Sequence, residues 1–124
     1  MKKRLRNQKG FTLIEIIAVL IILGILAAVA VPKFLDLTEN AEKEAIEGAL
    51  AAGLSTCSMQ FARLALSNGV APSENDVRDA CLSNPPGSDD FNYAFTAGSG
   101  SIDVVASWKS GSTATASATW EMPD

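Results

Sequence analysis

Glu15 is the one charged residue in an otherwise apolar run from Phe11 to Val31. A carboxylate in hydrocarbon costs about 3 kcal/mol on insertion scales, so such a residue marks either a pairing with a cation or a shallow position that reaches the headgroups. Cys57 and Cys81 are the only cysteines. In an oxidising compartment such a pair favours a disulfide, and closing a loop of this length is worth roughly 3 to 4 kcal/mol in the chain-entropy account. Two buried free thiols are the alternative that the sequence leaves open. Asp89, Asp90, Asp103 and Asp124 offer hard oxygen ligands of the kind calcium takes, but their spacing matches no EF-hand loop, and solvated loop acids are the plainer reading. Lys109 beside a serine would be the remaining nucleophile pairing, and nothing in the pattern supports it. The chain has no histidine, which excludes histidine-based triads and His-ligated zinc. It also lacks a Gly-x-x-x-x-Gly-Lys loop and a Cys-x-x-Cys. The expectation is a protein with no catalytic residues, no metal and no cofactor.

The charge pattern separates two regions. Five of the ten basic residues (Lys2, Lys3, Arg4, Arg6, Lys9) fall in the first nine positions, ahead of any acid. From Phe11 onward five basic residues face fourteen acidic ones, a net of −9. A body this acidic repels phosphates, so nucleic acid is not the default partner. The apolar run that follows the basic leader rises about 32 Å as a helix, enough to cross the hydrocarbon core of a bilayer. Positive charge before it and acids after it place the N-terminus in the cytoplasm and the remainder outside. A cleaved secretory signal, with Ala28 and Ala30 as a weak A-x-A match, and a buried core helix are the competing readings.

The elements that must carry these residues follow from periodicity. Pro32 removes one donor and crowds the carbonyl of Ala28, yet the helical pattern resumes at once, which predicts a kinked continuation rather than a stop. Phe34, Leu37, Ala41, Ala45, Ala49, Gly53, Cys57, Phe61 and Leu64 recur at spacings of three and four, a stripe of small residues. Glu39 and Lys43 add i,i+4 support, and Asn68-Gly69 supplies a C-cap, so one helix is expected from about Phe11 to Ser67. At 1.5 Å per residue it would be roughly 85 Å long if straight, more than a domain of about ninety residues can cover. Half of it must be buried in lipid or in neighbouring subunits.

Ser73, with Asp76 three positions on, predicts the start of a short helix that ends at Asn84-Pro85-Pro86-Gly87. The period then becomes two: Phe91, Tyr93 and Phe95; Ile102, Val104, Ala106 and Trp108; Ala114, Ala116, Ala118 and Trp120. The loops Ala97 to Gly100 and Ser110 to Ser112 are short enough to force antiparallel hairpins. The predicted fold is α+β: a long N-terminal helix whose second half covers a small antiparallel sheet of about three strands. The expected divisions are a leader at 1–10, a transmembrane or assembly helix at 11–32, the second half of the helix at 33–68, a connector at 69–90 and the sheet at 91–124.

Lys9-Gly10-Phe11-Thr12-Leu13-Ile14-Glu15, with the basic leader before it and the apolar run after it, resembles the type IV prepilin signal shared by type IV pilins and type II secretion pseudopilins. The continuation from Gly24 through Pro32-Lys33-Phe34-Leu35-Asp36-Leu37 looks most like mannose-sensitive-haemagglutinin-type pilins of the type IVa group. The resemblance is specific over residues 1 to about 55.

It implies that a prepilin peptidase in the inner membrane cuts between Gly10 and Phe11 and methylates the new amino group of Phe11. Glu15 would then pair with the Phe11 amine of a neighbouring subunit as helices leave the membrane, a cationic partner for a carboxylate that is costly in lipid. Gly24 and Pro32 lie where filament helices of this family can lose helical order. The implied partners are further copies in a helical filament, the inner membrane before assembly, and an assembly machinery whose ATPases supply the force. The implied role is a structural subunit of a surface filament for adhesion or twitching motility; a pseudopilin and a signal-anchored periplasmic domain that does not polymerise are the alternatives. The chain departs from many type IVa pilins in having no cysteine between Gly111 and Asp124, where a disulfide often closes a surface loop. Trp108 and Trp120 read as core or cross-strand residues rather than a glycan platform.

Overall fold

Helix formers dominate the first half of the chain, and glycine and proline are sparse enough there for a single helix to run through it. The computed structural model describes residues 10–124; the leader residues Lys2, Lys3, Arg4, Arg6 and Lys9 lie outside the described residues. The helix, α1, spans Leu13–Asn68 and includes both Gly24 and Pro32. It starts two residues later than the sequence predicts because Thr12 takes the N-cap position. It ends at Asn68, where Gly69 turns the chain at φ 69° and donates its N–H to the Ala65 carbonyl at 2.9 Å. A residue in that left-handed region is most easily a glycine.

The chain divides into two compact units, one ending at Thr38 and the other comprising Glu39–Asp124. In the first unit the described residues from Leu13 are helix, and all are exposed in the single chain. Its apolar window has a mean hydropathy of 3.0 and is long and apolar enough to cross a membrane.

The second unit is the α+β part, and its architecture agrees with the predicted one. It holds the rest of α1, then α2 (Glu74–Ser83), β1 (Phe91–Ala97), β2 (Ser101–Trp108) and β3 (Thr115–Glu121). The strands form one antiparallel sheet in the order β1-β2-β3. Register places Phe91 opposite Trp108, Phe95 opposite Val104 and Ile102 opposite Trp120, so the period-two apolar positions fall on one face. That face packs on α1. Cys57, Val77, Cys81, Phe95, Ile102, Val104 and Trp120 form the main cluster, and Ile46, Ala49 and Ala106 form a second.

The small-residue stripe is only partly the buried face. Ala49, Gly53 and Cys57 are buried, with Phe61 and Leu64 partly so, whereas Ala41 and Ala45 are exposed and Ile46, Thr56 and Gln60 are buried instead. The sheet covers the helix only from about Ile46 onward, and a straight i,i+4 row drifts around a 3.6-residue helix until it leaves the covered side. Both tryptophans join neighbours on the covered face. The Trp120 ring lies 5.9 Å from that of Phe61, and the Trp108 ring 4.4 Å from that of its cross-strand partner Phe91.

Candidate functional site

The chemistry-bearing residues of the first unit gather where α1 begins. Gly10, Phe11 and Thr12 precede the helix, and a Cβ on Gly10 would meet nothing within 4 Å. Phe11 is 85% exposed. The Gly10–Phe11 peptide therefore lies on non-helical backbone, with no described residue packed against Gly10.

Thr12 and Glu15 stand in the spacing of a capping box. The Glu15 N–H donates to Thr12 Oγ1 at 3.4 Å, and the Ile16 N–H donates to the Thr12 carbonyl at 3.4 Å. Glu15 thus occupies the third position of the first turn, where the partial positive charge of the helix N-terminus favours a carboxylate. The sequence offers a cation pairing or a shallow position for Glu15, and the structure adds Thr12 as its neighbour in the first turn. The signal was present in the Thr-x-x-Glu spacing. The carboxylate is exposed and forms no ion pair among the described residues. Gly24 and Pro32 are both helical here.

In the second unit the two cysteines come together. Cys57 of α1 and Cys81 of α2 are fully buried free thiols with their sulfurs 3.5 Å apart. The hydrogen bond between them, with burial and the charge of the neighbour adding to it, pushes the Cys57 thiol far above the ordinary range, while the same bond lowers Cys81. Asp103 accepts a hydrogen bond from the Thr119 hydroxyl at 2.6 Å, and no cluster of three or more acids or cysteines suited to a metal occurs among the described residues. Lys109 donates from Nζ to the Ser88 carbonyl at 2.8 Å. The structure thus places Gly10, Phe11, Thr12 and Glu15 together at the start of α1, and Cys57 and Cys81 together in the core.

Residues 5–31 match the family described as the prokaryotic N-terminal methylation motif. The chain is 41% identical over 69 residues to the type IV narrow pilus major component of Thermus thermophilus, covering 45% of this chain and 60% of that one. It is 33% identical over 91 residues to the type II secretion system core protein G of Vibrio cholerae, covering 73% of this chain and 60% of that one. It is 50% identical over 46 residues to the type IV major alpha-pilin of Moraxella bovis, covering 37% of this chain and 29% of the relative. The chain spans about 60% of the length of the first two relatives and less of the third. No solved structure matches it significantly. The chain carries the methylation motif of a prepilin-type signal, and its relatives are type IV pilins and type II secretion pseudopilins.

Proposed function

We propose that the chain is a pilin, a structural subunit that polymerises through α1 into a type IV pilus-class surface filament serving adhesion or motility. One observation carries this reading: a prepilin-type signal leads directly into an apolar helix that is exposed throughout the first unit. So much contiguous apolar surface must be covered by lipid or by other chains. In this account the peptidase cuts between Gly10 and Phe11 and methylates Phe11. The precursor sits in the inner membrane with its N-terminus in the cytoplasm. Glu15 then pairs with the Phe11 amine of a neighbour during extraction by the assembly machinery and its ATPases, and Gly24 and Pro32 are where α1 loses helical order in the filament. Catalysis has no part in the role, in keeping with relatives named as pilins and a secretion-system core protein.

The test is Glu15→Ala in the full chain, with Glu15→Asp as the conservative control. The expected result is loss or severe reduction of filaments with leader removal retained. Filament yield equal to wild type would overturn the assembly role given to Glu15, and absence of filaments from the wild-type chain would overturn the pilin reading in favour of a signal-anchored domain that does not polymerise.

A second reading, a pseudopilin of a type II secretion system, is favoured by the breadth of one match: core protein G aligns with 73% of this chain. The two readings share every step up to assembly and differ in where the polymer accumulates.

A further inference from the structure

Helix α2 is ten residues long, too short to persist by propensity alone. Its docking rests on Val77 and Cys81, both fully buried, together with the buried Pro72 that leads into it. Cys81 meets Cys57 on the covered face of α1 with 3.5 Å between sulfurs, in the cluster that also holds Phe95, Ile102, Val104 and Trp120. The two residues are 24 positions apart, so a bond between them would tie α2 to α1 within the unit.

Neither sulfur can be reached from solvent once α2 is seated, since each is 0% exposed. Thiol–disulfide exchange needs a thiolate and a line of approach for the attacking sulfur. Burial denies the second, and at Cys57 the hydrogen bond with Cys81, with burial adding to it, disfavours the first. Oxidation therefore has to precede docking or await an opening of α2.

We propose that Cys57 and Cys81 are joined as a disulfide by a thiol–disulfide oxidoreductase outside the cytoplasm, that the bond forms while α2 is still undocked, and that seating α2 then seals it against exchange. The inference rests on the reading that puts the second unit outside the cytoplasm. The steps balance: a thiolate of the pair attacks the oxidant's disulfide and releases one oxidant thiolate. The second cysteine, losing its proton to solvent, attacks the mixed disulfide and releases the other. The chain loses two hydrogens and the oxidant becomes a dithiol.

The full chain recovered from cells, acid-quenched and denatured, is treated with a maleimide–polyethylene glycol and its intact mass is read in parallel. The expected result is no adduct and a mass two hydrogens below that of the reduced chain. Two adducts would overturn the disulfide. The same spectrum shows whether the leader has been removed and Phe11 methylated, so failure of the pilin reading is seen separately. The order is tested on the purified chain, reduced in denaturant and refolded in detergent, with oxidised glutathione added during refolding or after it. Bond formation should be at least tenfold slower in the second case, and Ser73→Ala, which removes the α2 cap, should recover most of the rate. Equal rates before and after refolding would overturn the proposed order.

Discussion

Gly53 of α1 sits so close to Val104 of β2 that a Cβ at position 53 would lie 2.8 Å from Val104 Cγ1 and 3.3 Å from Tyr93 Cδ1. The backbone of the helix can come this close to the sheet here because residue 53 has no side chain. Gly48, five residues earlier, has nothing within 4 Å of the same construction among the described residues.

The pair gives a prediction with its own control. Gly53→Ala gains about 1 kcal/mol of helix propensity but overpacks a well-filled contact at a cost of about 1–3 kcal/mol. It should lower the stability of the second unit by up to about 2 kcal/mol. Gly48→Ala has only the propensity gain and should raise stability by up to about 1 kcal/mol. Urea unfolding of both full-length variants in detergent, followed by tryptophan fluorescence, checks the opposite signs.

Trp120 donates its indole N–H to Ser58 Oγ at 2.9 Å, whereas the buried Trp108 indole nitrogen has no partner among the described residues. Ser58→Ala leaves the Trp120 donor unpaired and should cost about 1–3 kcal/mol, with a shift in the tryptophan emission. Ser58→Thr, which keeps a hydroxyl, should restore most of the loss.

The start of α2 should lose support in acid. Hydrogen bonds from the Ser73 side chain and the Ser73 backbone N–H hold the Asp76 carboxyl below its usual range. A folded-state pKa below the unfolded one means that the carboxylate supports the helix above the unfolded value of about 3.9 and that this support is lost as pH falls through the folded value. An NMR titration downward from about pH 6 should show the α2 amides shifting only below about pH 4, together with the Asp76 carboxyl carbon. Asp76→Asn should abolish that transition.

Much of the second unit was legible because its strands alternate cleanly. Phe91, Tyr93 and Phe95 on β1 and Ile102, Val104 and Ala106 on β2 could face only one way if one face was to be covered. The Ser73–Asp76 capping box was legible for the same kind of reason, a local rule with a local outcome. The buried stripe of α1 was legible only in part. A row of small residues can be traced past the end of the sheet, and nothing in Ala41 or Ala45 says that the cover stops near Ile46. The approach of Cys57 to Cys81 is a long-range distance, set by how α2 packs, and no spacing rule could give it. At the start of α1, Glu15 stood out through its cost in an apolar run. Thr12, its neighbour in the first turn, is harder to see because the apolar run around it masks the Thr-x-x-Glu spacing of a helix start.

The central claim is tested most directly by N-terminal sequencing and mass analysis of the chain recovered separately from sheared surface filaments and from membranes. A mature terminus at methylated Phe11, abundant in the sheared fraction, is the predicted result. An intact Met1 terminus found only in membranes, in a host shown to process other prepilins, would contradict it. Methylated Phe11 confined to membranes would contradict the surface filament and leave the pseudopilin reading in its place.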